Sequence, residues 1–251
     1  MIGYIETHIV DHCNLKCRGC SHFSGLAAPY YKPLNDYEVE MRQLSLITNK
    51  RVGTIRIMGG EPLLHPDVVK FCTITRELFP SSEIVLVSNG ILLGRLSDED
   101  IQLLNDNDIA LCISDYGLQL NQTQLKKFKT HYFHGKTSLY NISLDLSKTQ
   151  DCARSFYNCD IVKGRWYFFK NGRIYQCCVM ANIDYFNETF NTNIDFHLDD
   201  ISINIFTHNL GDIEKFLQTP HDVCAYCDTI TRKHTYTKFQ VSKGDIKEWT
   251  I

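Results

Sequence analysis

Cys13, Cys17 and Cys20 fall in the stretch CNLKCRGC, on a loop that follows an apolar run. Thiolates are the preferred ligands of zinc and of iron–sulfur clusters. A structural zinc site is closed by four ligands, and neither His8 nor His22 has an evident reason to complete this one. A four-iron cluster held by three thiolates leaves one iron without a protein ligand, and an open coordination position is where chemistry can occur. The other cysteines are isolated Cys72 and Cys112 and a later group of Cys152, Cys159, Cys177, Cys178, Cys224 and Cys227. Cys224 and Cys227 form a tight pair suited to one metal. Cys177 follows a hairpin signal at Asn171-Gly172, and Cys159 precedes it. Four thiolates close a cubane, with structural zinc at the same ligands as the alternative. Cys152 is a substitute for Cys159, and Cys178, adjacent to Cys177, points away from it.

The whole chain narrows the classes. It has 251 residues, 43% of them hydrophobic and 22% charged, enough for a sizeable core. A net charge of -3 gives no electrostatic case for nucleic acid or an anionic membrane. The start, MIGYIETHIV, lacks the positive flank of a signal peptide, and no run of about 18 apolar residues occurs. A cytoplasmic protein is the expectation. Eleven cysteines, an odd number, fit metal or redox chemistry there better than a disulfide framework.

The elements that must carry these residues alternate. Strand patterns at GYIETHIV, TIRIM, EIVLVSN and IALCISD are separated by helical ones at LNDYEVEMRQLSLI, HPDVVKFCTITRELF, DEDIQLLND and QTQLKKFKTHYF, with SLYNISLDL closing the series. Asn35 or Asp36 is expected to cap the first helix, and Ser97 with Asp100 reads as a capping box. Such βα repeats imply a parallel sheet with ligands at the carboxyl ends of its strands. Five or six units make an open barrel. From about residue 150 the character changes to an aromatic hairpin, RWYFFKNGRIYQCC, and short helices at ANIDYFNETF and DIEKFLQT. A module with so little core needs a metal to hold it. Cys72 and Cys112 are expected to be buried apolar groups, and His131 and His134 surface residues.

The cysteine spacing after a first strand resembles the radical S-adenosylmethionine (SAM) enzymes. MGGEPLLHP after the second strand matches that family's Gly-Gly-Glu-Pro element at Gly59, Gly60, Glu61 and Pro62, and VSNG places Ser88 and Asn89 at the third strand's end. The resemblance implies a partial (β/α)6 barrel over residues 1–150, in which Cys13, Cys17 and Cys20 hold a 4Fe-4S cluster. Its free iron chelates SAM, which is cleaved to a 5′-deoxyadenosyl radical. Gly59 to Pro62 would then meet the SAM methionine end, and Ser88 and Asn89 its ribose. Many members carry an aromatic residue before the third cysteine. Here Gly19 stands there, leaving Phe23 as apolar cover.

The later group resembles the twitch auxiliary domain, a shortened SPASM domain, over residues 151–251. That likeness implies a second 4Fe-4S cluster on Cys159, Cys177, Cys224 and Cys227. Together they imply an oxidoreductase that abstracts hydrogen from a small polar substrate, a sugar or aminocyclitol-like alcohol, with the auxiliary cluster taking the electron. A reductant protein such as flavodoxin or ferredoxin is the implied partner. Because the first strand begins almost at Met1, the peptide-recognition domain of many peptide-modifying relatives is not expected here. Asp115, ending the fourth strand, and Cys178 are the candidates for catalytic side chains. Epimerisation with Cys178 returning hydrogen, peptide modification and a non-catalytic metal protein are the competing readings.

Overall fold

The computed structural model describes residues 2–134, 138–139, 142–230 and 237–251. Its contacts separate into two units, residues 1–14 with 29–137 and residues 15–28 with 138–251. The expected division at residue 150 differs from this one: the loop bearing Cys17 and Cys20, and residues 138–150, group with the second unit.

The first unit alternates strand and helix: β1 (Ile2–Val10), α1 (Leu34–Ile47), β2 (Val52–Gly59), α2 (Val68–Leu78), β3 (Glu83–Ser88), α3 (Asp98–Asp106), β4 (Ile109–Ser114), α4 (Gln122–Leu125) and β5 (His131–His134). All five strands are parallel and lie in the order β5-β4-β3-β2-β1. The pattern of β3, EIVLVS, explains the arrangement, because every residue after Glu83 is buried. A strand apolar on both faces needs cover on both. Register aligns like with like: Ile5 faces Ile55, Ile57 faces Leu86, and Leu86 faces Leu111. Each buried Leu or Ile of this kind contributes about 1.5–3 kcal/mol. Tyr37 on α1 packs edge-on against Phe71 of α2, at 4.8 Å between ring centroids, and its hydroxyl meets Thr75 Oγ1 at 2.7 Å.

Two expected details change. Helix α1 begins at Leu34 with Pro33 in the cap position, so neither Asn35 nor Asp36 caps it. Of QTQLKKFKTHYF only four residues are helical, and HYF joins the sheet as part of β5. Three lysines leave that stretch no apolar helical face, while Tyr132 and Phe133 favour a strand. His131 and His134 are exposed, on β5 rather than beside a helix. Among the described residues the first unit therefore has five parallel strands. Part of the expected closing strand, Tyr140 and Asn141, lies outside the described residues.

The second unit contains β6 (Ser138–Leu139), α5 (Cys152–Asn158), α6 (Asp160–Gly164), β7 (Tyr167–Lys170), β8 (Arg173–Tyr175), α7 (Cys178–Ala181), α8 (Ile183–Phe190), α9 (Leu198–Ile201), β9 (Ser202–Asn204), α10 (Leu210–Leu217) and β10 (Thr237–Lys238). Asn171 and Gly172 both take positive φ, 52° and 67°, as a two-residue hairpin turn requires. Around it β7, β8 and β9 pair antiparallel, and β6 pairs with β10. Phe23, Phe168, Phe186 and Trp249 are fully buried at the centre of the unit's core.

The capping box of α3 is complete: Ser97 Oγ accepts the Asp100 amide at 3.0 Å, and Asp100 Oδ2 accepts the Ser97 amide at 2.9 Å. Replacing Ser97 by Ala should lower the unfolding free energy by about 1 kcal/mol, read from urea denaturation. No measurable change would show that the cap contributes nothing.

Candidate active site

Four strand ends carry the residues singled out in the first unit. A bulge between His8 and Val10 ends the regular pairing of β1 with β2, and bulges bend a strand locally. The chain beyond it lies directly on the end of β2. Gly60 N donates to Val10 O at 2.8 Å and Glu61 N to His12 O at 3.2 Å. A Cβ on Gly59 would stand 2.2 Å from Val10 O; one on Gly60 would stand 2.2 Å from His12 O and 2.7 Å from Cys13 N. Only glycine allows backbone to approach this closely. The Gly-Gly pair thus fixes the course of the chain as it enters Cys13.

Glu61 turns inward. Its side chain is fully buried, and its carboxylate accepts from Leu63 N at 3.0 Å, Ser88 Oγ at 2.7 Å and Asn89 N at 2.9 Å. Burial pushes its carboxyl up to about 7, against the three donors, which pull it down. Ser88 Oγ in turn accepts Gly90 N at 2.9 Å. The carboxylate expected to face an ammonium and the hydroxyl expected to face a ribose are both engaged inside the unit. Asn89 reaches out: its Nδ2 donates to Asn14 Oδ1 at 2.7 Å and lies 3.9 Å from Cys13 Sγ. Asn14 was not singled out from sequence, although its position beside Cys13 was a signal. Asp115 Oδ1 accepts Gly117 N at 2.8 Å and so closes its own turn. Cys72 and Cys112 are completely buried, and burial raises both thiols, Cys72 to about 12. They are core groups.

In the second unit, Gly19 has φ 64°, a conformation that disfavours the aromatic residue common at this position. Phe23 does not replace it. Its ring is fully buried, 5.4 Å from Phe186 and 6.4 Å from Trp249, so it is core and no surface cover. Cys17 is buried and Cys20 half-buried. Burial raises the Cys20 thiol, but the hydrogen bond and charge of His22, with the Ser24 and His22 amides, bring it below its ordinary range.

Cys159, Cys177, Cys224 and Cys227 line one cavity with Met180, Ile201 and Val223. Each sits where regular structure breaks. Cys159 separates α5 from α6, Cys177 lies between β8 and α7, and Cys224 and Cys227 occupy and end a 3-10 turn. Ser155 Oγ holds the Cys227 carbonyl at 2.8 Å. Adjacent residues diverge: Cys178 packs into the core, while Cys152 Sγ donates to His221 O at 3.2 Å. Burial raises Cys177 well above the usual thiol range and Cys224 to about 12. Thiolates in so apolar a space need a cation, and metal binding displaces their protons. No disulfide joins any of the cysteines. Four thiols around one largely apolar cavity fit an iron–sulfur cluster.

A family model described as a 4Fe-4S single cluster domain matches residues 2–132. A GTP 3',8-cyclase of Moorella thermoacetica is 41% identical over 105 residues, covering 38% of this chain and 30% of its own. That of Heliobacterium modesticaldum is 29% identical over 98 residues, 39% of this chain and 30% of its own. The chain matches under a third of these curated relatives' length. The solved structure of BtrN in complex with AdoMet and 2-DOIA shares the fold, with a TM-score of 0.56 at 17% identity over 95% of this chain and 97% of that one. No helix among the described residues is long and apolar enough to cross a membrane.

Gly60→Ala should force the chain off His12 and Cys13. Iron bound through the triad should fall while iron at the second group stays, and unchanged SAM-responsive iron would contradict this reading. Glu61 makes a pH prediction. The folded carboxyl keeps its proton up to about 7 while the unfolded one releases it from about 4.5. The unfolded chain binds fewer protons in that window, so stability falls as pH rises through it. Denaturation of cluster-free Glu61→Gln should lack that component of the slope.

Proposed function

The chain belongs to the 4Fe-4S single cluster domain family, and from that premise we propose that it is a radical SAM enzyme that dehydrogenates a small polar alcohol of the sugar or aminocyclitol kind. The observation that carries this reading is the second cysteine group, Cys159, Cys177, Cys224 and Cys227, around one apolar cavity. A cluster closed by four thiolates offers no iron to a substrate, so its chemical use is to take or pass an electron. When bound, SAM and a cluster on Cys13, Cys17 and Cys20 would supply hydrogen-atom abstraction, and a cluster on Cys159, Cys177, Cys224 and Cys227 would supply an acceptor for the one further electron, lost with the hydroxyl proton, that separates an alcohol from a ketone.

The chain's own residues hold and order these groups. Gly59, Gly60 and Pro62 give SAM a backbone surface beside Cys13, and Asn89 offers its carboxamide next to the same cysteine. Glu61 and Ser88 act one step back, holding the end of β3 to the end of β2. Asp115 and Cys178 receive no role in proton or hydrogen transfer, since one closes its own turn and the other lies in the core. BtrN, captured with AdoMet and 2-DOIA, supports a small-molecule substrate. A reductant such as flavodoxin or ferredoxin completes the scheme. Residues 1–150 as barrel and 151–251 as auxiliary domain remain the functional division we propose.

Anaerobic reconstitution should give about eight irons per chain, the content of two four-iron clusters. Substrate deuterated at the carbinol carbon should pass label to 5′-deoxyadenosine, and Cys178→Ala should still turn over. Bound zinc, or no SAM cleavage under reductant, would remove the reading; loss of turnover in Cys178→Ala with both clusters intact would favour epimerisation.

A further inference from the structure

Cys17 and Cys20 lie on a loop with no helix and no ladder of its own, and a distant segment completes its hydrogen bonding. Arg18 N donates to Gln240 O at 2.9 Å, and Ser242 N donates to Lys16 O at 2.7 Å. Between them Cys17 pairs with Val241 as an isolated antiparallel bridge. The Arg18 guanidinium reaches the Gln240 side chain at 2.9 Å. Further along, the Trp249 indole Nε1 donates to the carbonyl of Cys20 at 3.0 Å, and that carbonyl also takes Phe23 N at 3.1 Å.

The segment also has contacts of its own beyond those with the loop. Glu248 accepts from Ser242 Oγ and from Lys243 N, and Trp249 O takes Leu144 N at 2.7 Å. The Trp249 ring, 1% exposed, packs 5.5 Å from Phe190 and 6.4 Å from Phe186. The loop, by contrast, carries two positive φ angles, 64° at Gly19 and 52° at Phe23. Gly19 takes its angle at no steric cost, whereas that of Phe23 persists only where surrounding contacts over-determine it. Here those contacts come from residues 240–249 and from the Phe23 ring beneath.

We propose that residues 240–249 are a positioning segment for the cluster at the triad, with the Trp249 indole N–H as the contact that fixes Cys20. Trp249 touches no reacting atom; it acts through the backbone of a ligand. The proposal rests on the reading that the triad binds a four-iron cluster. Linkage makes it quantitative: if the segment favours the ligating form of the loop, cluster loading must stabilise the segment in return.

Trp249→Phe keeps a ring in the core and deletes the donor. Chelator challenge of the reconstituted protein should strip the SAM-responsive cluster about five-fold faster than in the unmutated protein, the weight of one ordinary hydrogen bond. The other cluster serves as internal standard and should not change. Hydrogen exchange on the unmutated protein decides the matter if that variant does not fold. Loading the triad should slow exchange in residues 15–20 and 240–249 together, and a Cys13→Ala/Cys17→Ala/Cys20→Ala chain should show neither response. Equal stripping rates in a folded Trp249→Phe, or exchange in 240–249 indifferent to loading, overturns the proposal. Unmutated protein holding no triad-dependent iron removes the cluster reading and the proposal with it, a result told apart by iron content alone.

Discussion

A carboxyl group taken wholly out of water must be met by donors, and Glu61 is met by three. Leu63 N fixes the turn that follows β2, while Ser88 Oγ and Asn89 N fix the end of β3. The parallel register alone would bring these strand ends near each other, but it would not set their loops. The loops are set by this one buried group and by the absence of side chains at Gly59 and Gly60. Those glycines let the end of β2 touch the backbone of Val10 and His12. Cys13 is the next residue. The Asn89 carboxamide, aligned through its own backbone N–H on Glu61, reaches the same cysteine. Glu61 thus ties the turn after β2 to the end of β3 through its carboxylate.

The two cysteine groups differ in what the chain supplies. The second group offers four thiols lining one apolar cavity, each at a break in regular structure where backbone direction is free to serve the side chain. Burial makes Cys177 and Cys224 poor acids, so only a metal centre would hold them as thiolates. The first group offers three thiols on one loop. That is one fewer than a cluster closed by four thiolates takes.

Much of this was legible in the sequence because the signals were local. The all-buried run of β3, the Asn171-Gly172 turn and the Ser97 box each depend on a few neighbouring residues. That Cys177 lines the cavity while Cys178 packs into the core is equally local, since adjacent side chains diverge. What could not be read came from long separations. Glu61 looks in sequence like a ligand-facing carboxylate; its partners lie a strand away, and their burial turns it inward. Phe23 looks like spare aromatic cover until Phe186 and Trp249 enclose it. The link from Trp249 to Cys20 spans nearly the whole chain and has no periodicity to announce it. The shortness of α4 was misjudged for a different reason: lysines carry good helix propensity, and the sheet edge outweighed it at Tyr132 and Phe133.

The central claim is that one cysteine group is open to SAM and the other closed. Low-temperature electron paramagnetic resonance of the reduced, iron-loaded protein, recorded with and without SAM, tests it most directly. Two overlapping four-iron signals are expected, of which one shifts on SAM addition and disappears when Cys13, Cys17 and Cys20 are replaced. The other should be indifferent to SAM and depend on Cys224 and Cys227. A single signal, two signals that both move with SAM, or a SAM response that survives loss of the triad would contradict it.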